Sequence, residues 1–384
     1  MEYKRVSADC HLDMPWMPPT LFTSEASNAL KDRMPYVEDG PDGPQWVTKQ
    51  GANFGLLNGV GPGGVKLVPG QNKRVDIMAK TGMFEDGKKG IQRVSDPHMR
   101  LKEMDRDGVD AEVIFGILGS ASKMQDPEAA NELFRIYNDW LKEFCSHYPD
   151  RQIGLACLPY GDIDAAVAEV HRSAKMGLRG LELSCSWDME PMWHPCWDPL
   201  WEAVNEVELP LHFHTFPTTS PQAREMASGQ VRRAAMFTGV TVFQMGLANI
   251  VAAMMGAGVF ERFPNLKISL GESGVGWIPY MLDRMDFEYE DRFRDLMPLK
   301  PSEYWKRQCR ATFQYDVIGP MLVNANDLMT EDTLMWGSDY PHTDGIWPES
   351  TKYIDEQFVG LTAAQIQKIT CDNAVEFYGL KKTN

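Results

Sequence analysis

Residues 4–14 read KRVSADCHLDM, a run in which Asp9 and His11 stand two apart with Cys10 between them. Alternate side chains of an extended strand share a side, so the Asp9 carboxylate and the His11 imidazole face one space while Cys10 faces away. Such a pair can share a divalent cation. Whether it does depends on further ligands arriving from elsewhere in the chain.

Working outward, residues 15–95 are rich in Gly, Pro and charge, with no sustained period of two or of 3.6 residues. A segment of this kind directly after a candidate ligand strand is expected to be an insertion that caps and shapes a substrate site. From Asp96 a regular alternation begins. The apolar runs AEVIFGIL, IGLACLPY, LRGLEL, PLHFH, LKISLGE, RATFQYD and TLMWGSD read as strands. Between them, Leu133, Ile136, Tyr137, Trp140, Leu141 and Phe144 recur at helical spacing, as do Ile163, Ala166, Val167, Val170 and Ala174 before Gly177. DPLWEAVNEVE is a further helix, and one helix from Thr362 to Tyr378 closes the chain. Near-continuous apolar strands alternating with helices imply a parallel sheet covered on both faces. Eight such strands predict a (β/α)8 TIM-like barrel, an α/β fold, in one domain spanning 1–384 with the insertion after the first strand. No GxGxxG follows that strand, so a dinucleotide fold gains no support.

Composition narrows the function. A chain of 384 residues that is 43% hydrophobic can bury a large core, and its formal net charge of −16 argues against nucleic acid or an anionic membrane as a partner. The seven cysteines include no CxxC pair, the start has no apolar signal region and no later run is long enough to span a bilayer. A soluble cytoplasmic protein acting on a small molecule is expected.

Catalytic groups of a barrel sit at the C-terminal strand ends. Asp9 and His11 end the first strand, His212 and His214 the fifth, Glu272 the sixth and Asp339 the eighth. His214, nearer the strand end, is the expected ligand, with His212 hydrogen-bonded one layer below. A buried Asp339 needs a cation or a partner, unless it caps a following helix. Glu182 is read as part of a structural salt bridge, with a ligand role as the alternative. Cys185 and Cys196 read as small buried residues, His171 as solvated, and His98, His147 and His194 as loop or cap residues. Trp, Met and Pro side chains in the insertion and in SWDMEPMWHPCW could line an apolar pocket or serve as packing.

The motifs Asp9-Cys10-His11, Phe213-His214 and Gly337-Ser338-Asp339-Tyr340-Pro341-His342 resemble those of the amidohydrolase superfamily. The nearest branch is the amidohydrolase-related family of aminocarboxymuconate semialdehyde decarboxylase, resorcylate-type decarboxylases and lactone hydrolases. DPHMRLKEMDRDGVDAEVIF, HPCWDPLWEAV and FPNLKISLGESGVGWIPYMLDRMD are similar to stretches of the same family. The resemblance implies one or two divalent cations held by Asp9, His11, His214 and Asp339, and a homodimer. Decarboxylases of the branch carry a histidine where this chain has Glu272, which cannot act as a cation toward a carboxylate.

On that departure the sequence favours hydrolysis. The expected chemistry is metal-activated water attacking an ester, lactone, thioester or amide carbonyl, with Asp339 handling the proton and Glu272 and His342 in acid/base or supporting roles. Zinc is the default ion for a mixed imidazole and carboxylate set, with manganese or iron(II) as alternatives. Two other readings stand beside it: a metal-dependent non-oxidative decarboxylase of a hydroxylated aromatic or related acid, and a non-catalytic metal- and ligand-binding barrel.

Overall fold

The computed structural model describes residues 2–59, 68–70, 72–117, 119–186, 189–214 and 228–381. Its central ring is built from β1 (Val6–His11), β5 (Ala111–Phe115), β6 (Gln152–Cys157), β7 (Gly180–Leu183), β8 (Leu211–His214), β9 (Ile268–Gly271), β10 (Cys309–Phe313) and β11 (Leu334–Trp336). All neighbours pair in parallel, and every residue of these strands except Arg310 is buried. The seam between β11 and β1 closes beyond the strands: Asp339 N donates to Asp9 O at 2.9 Å and His11 N donates to Tyr340 O at 2.7 Å. Gly337 permits that approach, since a Cβ there would lie 2.5 Å from Asp9 Cβ. The architecture is the expected (β/α)8 barrel.

Local chemistry sets the helix limits. Pro97–Asp107 begins at Asp96, whose side chain accepts from His98 N and Met99 N, has Pro97 in its first turn and ends at Gly108 in the left-handed region, φ 70°. Pro127–Ser146 is capped by Asp126 and turns Leu133, Ile136, Tyr137, Leu141 and Phe144 inward. The closing helix expected from Thr362 to Tyr378 is present as one continuous run, with a π turn at its middle. Ala363–Gln367 and Asn373–Phe377 are separated by a π turn, Lys368–Asp372, after which Asn373 Nδ2 donates to the carbonyls of Glu331 and Leu334 at 2.6 and 2.7 Å. That docking is a tertiary interaction which helical periodicity does not report.

The insertion is more regular than its composition suggests. β2 (Tyr36–Gly40), β3 (Gly43–Val47) and β4 (Asn53–Leu56) form an antiparallel sheet, followed by short helices Lys73–Ala79 and Met83–Lys88. Trp46 is buried edge-on to Phe22, and Arg74 Nη1 donates to Gly345 O at 2.8 Å beyond β11. The stretch 60–67 and residues 71, 187 and 188 of the segments expected to shape the pocket lie outside the described residues. Among the described residues no single helix is long and apolar enough to cross a membrane.

Two buried charges below the barrel mouth make testable contributions to stability. Arg100 donates from Nε and Nη2 to the Glu112 carboxylate at 2.6 and 3.0 Å, and from Nη1 to His11 O at 2.8 Å. Arg100→Met strands Glu112 without its cation and is expected to cost about 3–5 kcal/mol in urea unfolding, most of it recovered by adding Glu112→Leu. Asp107 accepts from Ser350 N and Oγ, and burial pushes its carboxyl up to about 6. The folded state therefore holds this proton more tightly than the unfolded chain, so stability falls as pH rises through that window. Asp107→Asn is expected to match the parent at pH 4 and to exceed it at pH 7 by up to about 3 kcal/mol, read by thermal unfolding at both values.

Candidate metal centre and active site

Asp9 and His11 reach the mouth from the end of β1, His214 is the last residue of β8, Glu272 follows β9, and Asp339 lies three residues beyond β11. His342 sits one turn later, its N donating to Asp339 O at 2.8 Å. All six are buried. Glu272 and Asp339 adopt left-handed backbone, φ 49° and 57°. That costs a non-glycine residue about 1–2 kcal/mol, and such strain concentrates at functional sites.

His11 Nε2 is the centre of the cluster, 3.2 Å from Asp9 Oδ1 and 3.0 Å from Asp339 Oδ1. His214 Nε2 approaches Asp9 Oδ1 at 3.9 Å and Glu272 Oε2 at 3.7 Å. None of His11 Nε2, Asp9 Oδ1 and Asp339 Oδ2 makes an aligned hydrogen bond although all are buried. Buried donors and acceptors are normally satisfied, so His11 Nε2 and Asp9 Oδ1, which lie 3.2 Å apart without an aligned hydrogen bond, fit a cation between them. Metal bonds of about 2.0–2.2 Å put donor atoms about 3.0–3.6 Å apart, which is the spacing of His11 from both aspartates. Ligand-type atoms of Asp9, His11 and His214 lie within 4.8 Å of one another, as do those of His11, Asp339 and His342, and those of Glu272, Asp339 and Asp344.

The electrostatics follow from the crowd of carboxylates. Burial and neighbouring His342 push the His11 imidazole down, but Asp339 and Asp9 outweigh them and raise it to about 9. Burial likewise raises Asp9 and Asp339, yet the surrounding imidazoles bring both below the ordinary aspartate range. Two ionised carboxylates around one imidazole nitrogen call for positive charge there, either a proton or a metal ion. Glu272 behaves oppositely: burial, with Asp344, Asp339 and Asp9 close by, pushes its carboxyl well above the usual range.

Supporting residues not singled out from sequence orient the cluster. Asp9 Oδ2 accepts from Thr312 Oγ1 at 2.6 Å and from Glu272 N at 2.7 Å, which leaves Oδ1 for the centre. Gln314 Nε2 donates to Glu272 Oε1 at 3.0 Å. His342 is clamped between Asp339 Oδ1 and Asp13 Oδ2, both at 2.9 Å. The only sequence signal for Asp13 is its spacing, two residues beyond His11 in the same alternating run. Trp16, from the start of the insertion, packs 5.9 Å from the His342 ring.

Other candidates fall outside the cluster. His212 bonds through Nδ1 to Leu181 O at 2.8 Å and through Nε2 to Tyr378 Oη at 2.7 Å, while burial lowers it to about 4. A neutral ring that donates to the carbonyl and accepts from the tyrosine satisfies both contacts. Glu182 corrects the salt bridge expected for it: the carboxylate accepts from Gly116 N at 2.8 Å and Ser184 Oγ at 3.2 Å, with no cationic partner among the described residues. Cys185 and Cys196 are half-buried rather than buried. His171 is exposed, His98 lies in the first turn of its helix against Tyr148, and His147 and His194 are helix caps.

A family model described as amidohydrolase matches residues 9–380, from the first ligand-type carboxylate to the closing helix. The chain belongs to the amidohydrolase family. Among the relatives of this amidohydrolase, 2-amino-3-carboxymuconate-6-semialdehyde decarboxylase of Dictyostelium discoideum is 25% identical over 74% of this chain and 77% of its own length. Gamma-resorcylate decarboxylase of Rhizobium radiobacter is 26% identical over 70% and 82%. The crystal structure of 5-carboxyvanillate decarboxylase from Sphingomonas paucimobilis superposes with a TM-score of 0.62 at 26% identity, covering 76% of this chain and 85% of that one. These findings overturn the expectation of hydrolysis and favour the decarboxylase alternative. The sequence allowed Glu272 as a base for water chemistry, but burial and the neighbouring carboxylates push its carboxyl up, which disfavours the ionised form a base needs.

Proposed function

We propose that this amidohydrolase is a metal-dependent, non-oxidative decarboxylase of a hydroxylated aromatic or related unsaturated carboxylic acid. The observation that carries the reading is a buried Glu272, its carboxyl pushed up by burial and by neighbouring carboxylates, beside a cluster of metal-ligand side chains in a chain with decarboxylases among its relatives. Decarboxylation needs a proton delivered to carbon and a means of holding the substrate carboxylate, and the two features answer those needs separately.

Asp9, His11, His214 and Asp339 would hold the ion, which when bound would supply positive charge to the substrate carboxylate and an adjacent oxygen. Four protein donors fill a tetrahedral zinc shell, so an ion that accepts more ligands, such as manganese, suits the reading better than the zinc default. Asp13 and Thr312 keep His342 and Asp9 oriented. Glu272, oriented by Gln314, gives its proton to the carbon that bears the carboxylate. The bond to the carboxylate carbon then breaks, its electron pair returns to the unsaturated system, CO₂ leaves, and solvent reprotonates Glu272. The neutral acid also avoids the repulsion that an ionised glutamate would exert on a carboxylate substrate.

Chelator dialysis tests the reading. CO₂ release from 2,6-dihydroxybenzoate and 5-carboxyvanillate is expected to vanish and to return on adding Mn²⁺ or Zn²⁺. Release that survives complete metal removal would sink it.

A further inference from the structure

At the opposite pole of the barrel, where strands begin, a cavity of about 480 Å³ is lined by Lys267, Lys306, Arg307, Arg310, Asp332 and Glu376 among others. Lys267 immediately precedes β9 and Arg310 is the second residue of β10. Four cations meet two carboxylates there, in a chain whose formal net charge is −16. Asp332 is shared with Lys368 and Arg307 lies 3.9 Å from Glu261, so the lining keeps more positive than negative charge.

Ordinary structural duties explain only half of this charge. Lys306 and Arg307 occupy the last turn of Pro301–Gln308, where the helix dipole favours cations. Arg307 Nη2 also donates to Phe260 O at 2.8 Å and lies 3.9 Å from Glu261 Oε2. Arg310 spends one nitrogen on the carbonyls of Cys309 and Lys306, at 2.8 and 3.4 Å, and enters no ion pair among the described residues. Its guanidinium is half-buried, 5.9 Å from the centroid of the Phe377 ring. Lys267 makes neither ion pair nor side-chain hydrogen bond among the described residues. Residues at this end of a barrel serve stability, and like charges gathered around a cavity oppose it. An anion in the cavity removes that opposition.

We infer that the cavity is a binding site for a small polyanion, with Arg310 and Lys267 as its anchors and Lys306 and Arg307 at its rim. The ligand chemistry is that of phosphoryl or carboxylate oxygens, which a mixed Arg and Lys set recognises by forked and point-charge contacts. The site is separate from the metal centre and does not depend on the reaction proposed above.

Calorimetric titration of the full, metal-loaded chain with inorganic phosphate, pyrophosphate and citrate tests it. Saturable binding of one equivalent is expected, weakened at least about tenfold in Lys267→Ala and in Lys306→Glu, with metal content unchanged. Both lysines are exposed, so neither variant removes packing. Tighter binding of pyrophosphate than of citrate assigns a phosphorylated ligand, and the reverse order a polycarboxylate. Failure of all three anions to saturate, or unchanged affinity in both variants, overturns the inference.

Discussion

Asp339→Asn is expected to reduce CO₂ release by at least about 10³-fold, equivalent to about 4 kcal/mol of barrier. The substitution keeps the shape of the side chain and removes its charge. Asp339 Oδ1 touches both His11 and His342, and Oδ2 makes no hydrogen bond although it is buried. An amide can still turn its oxygen toward the two imidazoles, but its NH₂ then replaces the second carboxylate oxygen and the negative charge is gone. The ion would then lose a charged ligand, and the His11 and His342 rings the carboxylate charge that faces them. Single-turnover measurements alongside metal analysis check this, and a variant with near-parental turnover would remove Asp339 from the site.

Glu272→Gln is expected to lower turnover by about 10²–10⁴-fold while the protein keeps its ion, because it deletes a transferable proton and little else. Gln314 can still donate to the amide oxygen, and the backbone N–H at this position still donates to Asp9, since that contact does not involve the side chain. The pH profile supplies the distinguishing readout. Glu272 must be protonated to act and its carboxyl is raised by burial and by Asp344 and Asp339, so parental activity is expected to fall as pH rises through that shifted value. In the variant this alkaline limb should disappear. A Glu272→Gln enzyme that retains full turnover with the same alkaline limb would show that another group delivers the proton.

The barrel strands were legible in the sequence because parallel strands buried on both faces leave near-continuous apolar runs, and the strand-end rule then picked out Asp9, His11, His214, Glu272 and Asp339. β2, β3 and β4 were not, because they are short, half-exposed and broken by Gly and Pro. Thr312 escaped notice for a different reason: its contact with Asp9 spans 303 residues of chain and exists only once the barrel closes. The reaction was misread at Glu272. A glutamate on paper is a base at neutral pH, and only the burial and the carboxylates gathered around it, which push its carboxyl up, favour the protonated form.

The most direct test is turnover of 2,6-dihydroxybenzoate by the manganese-loaded protein in D₂O, followed by mass spectrometry and NMR of the product. One CO₂ for each resorcinol, with deuterium placed at the carbon that lost the carboxylate, is the expected outcome. No CO₂ and no resorcinol from the manganese-loaded protein, with metal-dependent hydrolysis of a lactone or ester of a hydroxybenzoic acid instead, would contradict decarboxylation at this centre.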